Sequence, residues 1–149
     1  MTGDVAERFV VFNLRLLAAS FALVGILFIA APDGTLGALD DFGDWLPLGE
    51  FGEAPETLQQ LWLALGFAYM TVITGICLVV QADVVRYRPL LLVLAAGKAA
   101  SSLTALGFYL FDQDVFAYLL NFLVDGGLVL AALWLWSLAG RVGAPAAPS

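Results

Sequence analysis

The chain has 149 residues, of which 62% are hydrophobic and only 13% are charged. Soluble domains contain about 45–50% apolar and about 25% charged residues, so both values indicate that lipid surrounds most of this protein. Histidine is absent and the single cysteine, Cys77, lies in an apolar run, which argues against a histidine-ligated metal or haem site and against a disulfide framework. We expect no metal and no cofactor. The sequence contains no glycine-rich phosphate loop and no basic patch, so we do not expect nucleotides or nucleic acid as partners.

Four segments are long and apolar enough to cross a membrane as helices, which takes about 20 residues at 1.5 Å each. In chain order they cover residues 9–31, 58–80, 89–111 and 115–139. Prolines fall only at or outside their ends, as Pro32 and Pro89 illustrate, where a missing N–H breaks no helix. The first segment exceeds the usual signal-peptide core of about 7–15 residues, so we expect it to be retained. The sequence predicts an all-α membrane protein, a single domain over residues 1–149, folded as an antiparallel four-helix bundle.

The orientation of the bundle follows from the arginines that flank the spans. They are Arg8 and Arg15 near the amino end, Arg86 and Arg88 after the second span, and Arg141 after the fourth. An even number of spans places all five on one side, while the opposite connections carry only acidic charges. We therefore expect a multi-pass protein of the cell membrane, the inner membrane in a bacterium, with both termini in the cytoplasm.

The acidic outer connection, residues 32–57, contains a helical pattern. Apolar residues recur every three or four positions with aspartates between them, which is typical of a short amphipathic helix at the membrane interface. The apolar set is Leu36, Leu39, Phe42, Trp45 and Leu46, the acidic set is Asp40, Asp41 and Asp44, and Pro47 and Gly49 are expected to end the helix. The segment is either a lid or docking surface for a basic partner, or a simple connector resting on lipid. The connector is favoured, because the length of a loop does not by itself indicate a function: long loops are often but not always functional.

Two charged residues lie inside predicted spans: Lys98 in the third and Asp125 in the fourth. A charge at the centre of a spanning helix costs about 2.5–3.5 kcal/mol on insertion scales. Measured from the tight connection between these spans, the helical rise places Lys98 about 20 Å deep and Asp125 about 15 Å deep. A lysine side chain covers that difference, so the sequence allows an ion pair.

Other polar residues lie three or four positions from Lys98 or Asp125, and therefore on the same face of the same helix. Further polar residues come from the first two spans. The candidates for a ligand-binding site or a polar core are Lys98, Ser101, Ser102, Asn121, Asp125, Thr71, Thr74 and Arg15. Arg15 lies close enough to the inner boundary to reach the headgroups, or it points inward. Either the set fixes the register of the helices through polar contacts, or it lines a polar cavity; both interpretations remain open, and no catalytic residue is assigned.

In hydropathy and length the chain resembles the small four-span bacterial proteins grouped around DoxX. The segments that accompany this resemblance are Arg86-Tyr-Arg-Pro-Leu90 and Gly97-Lys-Ala-Ala-Ser-Ser102. The resemblance implies the four-span plan and transfers no activity and no functional residue.

We expect a small integral membrane protein that binds a partner protein or a small hydrophobic ligand and acts as an accessory or carrier-like component. The first alternative is transport of an ion, a proton or a small solute, which would require an oligomer because four helices are few for alternating access. The second is a lipid-modifying enzyme, with Ser101 activated by Lys98, and the sequence favours a non-enzymatic protein over it. Expected partners are membrane lipid and either another membrane protein or a second copy of the chain.

Overall fold

The computed structural model describes residues 3–46, 60–112 and 115–142. These residues form five helices: α1 (Gly3–Ala30), α2 (Pro32–Trp45), α3 (Gln60–Ala82), α4 (Leu90–Phe111) and α5 (Phe116–Val142). Four of them, α1, α3, α4 and α5, are long and apolar enough to span a membrane. The described part of the chain is helical and contains no strand. This confirms the predicted all-helical fold with four long apolar helices.

The four long helices close into a ring. α1 packs mainly on α3 and α4 mainly on α5, while α5 also contacts α1 and α3 contacts α4. Lys98 pairs with Asp125 and Ser102 with Phe122, so residue numbers rise along α4 as they fall along α5. α4 and α5 are therefore antiparallel.

The interior of the ring is mostly apolar, with one fully buried apolar side chain from each long helix as an example: Leu14, Cys77, Leu91 and Leu135. Large apolar side chains also lie on the outer faces of all four helices. Phe12, Val72, Leu103 and Leu130 are each between 60% and 70% exposed. Soluble monomers rarely expose contiguous apolar patches above a few hundred Å². Apolar residues on both the inner and outer faces are what helices surrounded by lipid require.

The short helix α2 packs across one end of the bundle. Pro32 occupies its first turn, and Ala31 before it leaves the helical conformation with φ −150° and ψ 64°, as residues preceding proline tend to do. The chain changes direction there, and α2 contacts both α1 and α5. Its Gly43 lies against Phe116 so closely that a Cβ would be 2.7 Å from the ring. We call this end, where α1 ends and α5 begins, the α2 end.

The opposite end of the bundle is held by the connection 83–89, and we call it the 83–89 end. The Asp83 carboxylate accepts a hydrogen bond of 2.9 Å from the Arg86 backbone N–H. Arg88 donates from Nε to the Trp136 carbonyl at 2.8 Å, and its guanidinium lies 4.1 Å from the centre of the Trp136 ring. These contacts fix the connection between α3 and α4 to the last turns of α5.

The observed helices differ from the predicted spans mainly at their polar ends. α1 begins at Gly3 instead of residue 9, and α5 continues to Val142 instead of 139. Asp4 in the first turn of α1 and Arg141 in the last turn of α5 favour these extensions through the helix dipole. Hydropathy detects only the apolar part of such helices.

The helix predicted in the outer connection is present as α2, and it begins at Pro32, four residues before its first predicted apolar position. Phe42 stacks on Trp45 with ring centres 5.9 Å apart, and Trp45 is 76% exposed. Residues 47–59, including the expected helix end at Pro47 and Gly49, lie outside the described residues. The position of α2 at a membrane interface stays a prediction.

Candidate functional site

Lys98 and Asp125 form an ion pair in the interior of the bundle. The Lys98 Nζ lies 2.9 Å from the Asp125 Oδ1, and the two residues are only 1% and 5% exposed. A buried charge is stable only when it is paired or otherwise compensated. The ion pair that the sequence allows is therefore formed, across the interface between α4 and α5.

Two aromatic rings complete the surroundings of the Lys98 ammonium. The centre of the Phe21 ring lies 4.5 Å from the Lys98 Nζ and that of the Tyr69 ring 5.1 Å away, both within the range of a cation–π attraction. Phe21 belongs to α1 and Tyr69 to α3, so all four long helices meet at this one ammonium group. Neither residue is among the eight candidates predicted from the sequence. Phe21 is an ordinary aromatic residue of an apolar span, and Tyr69 is one of several small or polar positions of the second span.

A short series of polar contacts continues from the pair toward the α2 end. Ser102 Oγ donates to the Phe122 carbonyl at 2.8 Å, and Asn121 Nδ2 donates to Ser101 Oγ at 3.2 Å. A Cβ on Gly126 would lie 3.3 Å from Ser102 Oγ, so the glycine allows this close approach of α5 to α4. The structure thus brings together five of the eight predicted residues.

The remaining three candidates make contacts elsewhere or none among the described residues. Thr71 Oγ1 donates to the Phe67 carbonyl of its own helix at 2.9 Å. Arg15 Nε donates to Gln81 Oε1 at 3.2 Å on the exposed surface near the 83–89 end. Thr74 Oγ1 is buried without a hydrogen-bond partner in the described part of the chain. None of the three contacts Lys98 or Asp125 by a hydrogen bond in the structure.

A cleft of about 350 Å³ adjoins the ion pair on the side of α1. It is lined by α5 residues between Ala117 and Leu128, by Phe21 and Val24 of α1 and by Met70 of α3, with Lys98 and Asp125 in its wall. The lining is mostly apolar, and its polar atoms are confined to the ion pair and Asn121. The cleft occupies the half of the bundle nearer the α2 end, where α1 and α5 are bridged by α2.

A second cavity of about 540 Å³ is a shallow groove on the other side of Asn121. It is lined by Tyr69 of α3, by small α4 residues from Gly97 to Ala105, and by Tyr118 of α5. Asn121 lines both cavities. Of the polar candidates, Lys98 and Asp125 therefore face the cleft, Ser101 faces the groove, and Asn121 lies between them.

No group of three or more acidic or cysteine side chains that could hold a metal ion occurs among the described residues. The chain matches no protein-family model, no curated protein and no solved structure at a significant level. The resemblance in hydropathy and length to the four-span proteins grouped around DoxX thus gains no support from these comparisons. The function has to be inferred from the geometry alone.

Proposed function

We propose that the chain is an integral membrane protein with four membrane-spanning helices, and that it holds a small amphipathic ligand in the cleft between α1 and α5. It would serve as an accessory or carrier-like component. The observation that carries this proposal is the position of the Lys98–Asp125 pair in the wall of the cleft. Together with Asn121, one helical turn away, the pair supplies the polar side chains of an otherwise apolar lining.

The proposed orientation has both termini and the 83–89 end in the cytoplasm. Arg8, Arg86, Arg88 and Arg141 all belong to helix ends or connections at the 83–89 end of the bundle. The α2 end carries acidic residues instead, among them Asp41 and Asp44 of α2. Arginine in short connections marks the cytoplasmic side of bacterial and eukaryotic membrane proteins.

The size and lining of the cleft support binding of a small ligand. Ligand pockets of about 300–1,000 Å³ are usually apolar with a few placed polar groups, and the cleft has a volume of about 350 Å³. α1 packs less extensively on α5 than on α3, so the cleft lies along the weaker of the two contacts that α1 makes with other long helices. A ligand dissolved in the lipid could enter between these two helices.

The two alternative functions have less support from the geometry. The half of the bundle at the 83–89 end is filled by fully buried apolar side chains such as Leu14, Cys77 and Leu91, which favours holding a ligand over conducting an ion through the bundle. A Ser–Lys hydrolase needs its lysine beside the serine. Here Ser101 Oγ accepts a hydrogen bond from Asn121, and Lys98 is paired with Asp125.

A matched pair of α5 substitutions tests binding in the cleft. Leu120 lines the cleft, whereas Leu123, three residues later, is 57% exposed on the outer face. We expect native mass spectrometry of the detergent-purified protein to show a bound small amphiphile. Leu120→Trp should reduce the occupied fraction by roughly tenfold or more, because the indole fills the space of the ligand, and Leu123→Trp should leave it unchanged. Equal loss in both variants, or a wild-type protein without any bound molecule, would contradict the proposal.

A further inference from the structure

We infer that the polar head of the ligand is electrically neutral and carries a hydroxyl group, which donates a hydrogen bond to Asp125 and accepts one from Lys98 or Asn121. The ligand class is a hydroxyl-bearing amphiphile, such as a long-chain alcohol. This inference rests on the proposed function and specifies the substance held in the same cleft.

Charge balance in the cleft argues for a neutral head. The only described charges in its wall are Lys98 and Asp125, which neutralise one another at 2.9 Å. A carboxylate would repel Asp125, and an ammonium group would compete with Lys98 for the same oxygen atoms. In either case one charge is left uncompensated away from water, which is strongly unfavourable.

The hydrogen bonds that the pair does not make argue for a hydroxyl group. A carboxylate offers about four acceptor positions and an ammonium group three N–H donors. Among the described residues, Asp125 accepts a hydrogen bond only from Lys98, and Lys98 donates only to Asp125. The rings of Phe21 and Tyr69 occupy much of the space around the ammonium group. The hydrogen-bonding positions that stay free are therefore mainly the acceptor positions of the Asp125 carboxylate. A ligand that uses them must carry a hydrogen-bond donor.

Asn121 supplies a second polar contact for the same head group. Its side-chain NH₂ has two donors, of which one is used on Ser101 Oγ. Asn121 precedes Asp125 by one turn of α5, a rise of about 6 Å. A single hydroxyl group between these two side chains can donate a hydrogen bond to the carboxylate and accept one from the amide. A head that only accepts, such as an ester carbonyl, can bind the amide but leaves the carboxylate without a donor.

The volume of the cleft sets the length of the part that it encloses. About 350 Å³ lies near the lower end of the range of small-ligand pockets, about 300–1,000 Å³, so the cleft suits a single alkyl chain. Such a chain with a terminal hydroxyl group would place its head at Asp125 and its tail along Val24 and Leu120.

Three amphiphiles with the same alkyl chain test the inference. Radiolabelled dodecanol, dodecanoate and dodecylamine are each equilibrated with the protein in lipid nanodiscs, and binding is measured in excess of empty nanodiscs. We expect dodecanol to bind at least roughly tenfold more tightly than the other two, and Leu120→Trp to abolish the excess. In Lys98→Met/Asp125→Asn, which removes both charges together, the preference should fall by roughly tenfold or more, because hydrogen bonds to charged groups are about twice as strong as neutral ones.

The outcomes separate this inference from the proposed function. If dodecanoate or dodecylamine binds more tightly and Leu120→Trp removes that binding, the cleft is a ligand site and the neutral hydroxyl head is wrong. If none of the three shows excess binding, the hydroxyl-bearing class is also excluded, and the mass-spectrometric comparison of Leu120→Trp with Leu123→Trp decides the proposed function by itself. A preference for dodecanol that survives in the double variant contradicts the role of the charge pair.

Discussion

Loss of either member of the charge pair, through Lys98→Met or Asp125→Asn, is expected to lower the free energy of unfolding by about 3–5 kcal/mol. Each single substitution leaves the other charge buried without its partner, since Lys98 is 1% and Asp125 5% exposed. The double variant Lys98→Met/Asp125→Asn removes both charges, so its loss should be smaller than that of either single variant.

The measurement is a double-mutant cycle on unfolding in mixed micelles, followed by circular dichroism as the denaturing detergent fraction increases. Asp112→Asn serves as the control, because Asp112 is exposed at the end of α4 and should change stability by less than about 0.5 kcal/mol. Losses from the two single variants that simply add in the double variant would show that Lys98 and Asp125 are not energetically coupled.

Docking of α2 on the bundle is expected to depend on the absence of a side chain at Gly43. A Cβ there would lie 2.7 Å from the Phe116 ring, and Phe116 is only 3% exposed and has little room to move. Gly43→Ala should therefore lower the free energy of unfolding by about 1–3 kcal/mol, as overpacking in cores does. This effect opposes the gain of roughly 0.5–1 kcal/mol that alanine brings in a helix.

Gly37 of the same helix provides the matched control. A Cβ at Gly37 would meet nothing within 4 Å, so Gly37→Ala should be neutral or slightly stabilising. Hydrogen exchange followed by mass spectrometry should show faster exchange of the α2 amides in Gly43→Ala and unchanged or slower exchange in Gly37→Ala. Equal exchange of α2 in the two variants would mean that Gly43 does not hold α2 against α5.

The sequence was sufficient to predict the four long apolar helices, because a helix that crosses lipid needs a length and a composition that few other structures share. It also allowed the Lys98–Asp125 contact, because only four residues separate α4 from α5 in the sequence, so the helical rise fixes the relative heights of the two side chains. That estimate left an offset of about one turn, and the flexible Lys98 side chain closes it to a contact of 2.9 Å.

The residues that the sequence did not indicate are those contributed by distant helices. Phe21 and Tyr69 are ordinary members of apolar runs, and only the ring order of the four helices brings them to Lys98. The cleft between α1 and α5 has the same origin, because these are the first and last of the long helices and no direct connection between them constrains their spacing. Arg15 is the opposite case. Its charge made it a candidate for the polar core in the sequence, yet its hydrogen bond is to Gln81 on the surface.

Labelling of single-cysteine variants tests the proposed arrangement in the membrane most directly. In a Cys77→Ala background, one cysteine is placed at Ala38 of α2 and another at Val85 in the connection 83–89, both of which are exposed positions. When intact bacterial cells are treated with a membrane-impermeant maleimide, Ala38→Cys should react and Val85→Cys should react only after the cells are opened. The protein should stay with the membranes through an alkaline wash. Reaction of both positions from the outside, or release of the protein by the wash, would contradict four membrane-spanning helices with cytoplasmic termini.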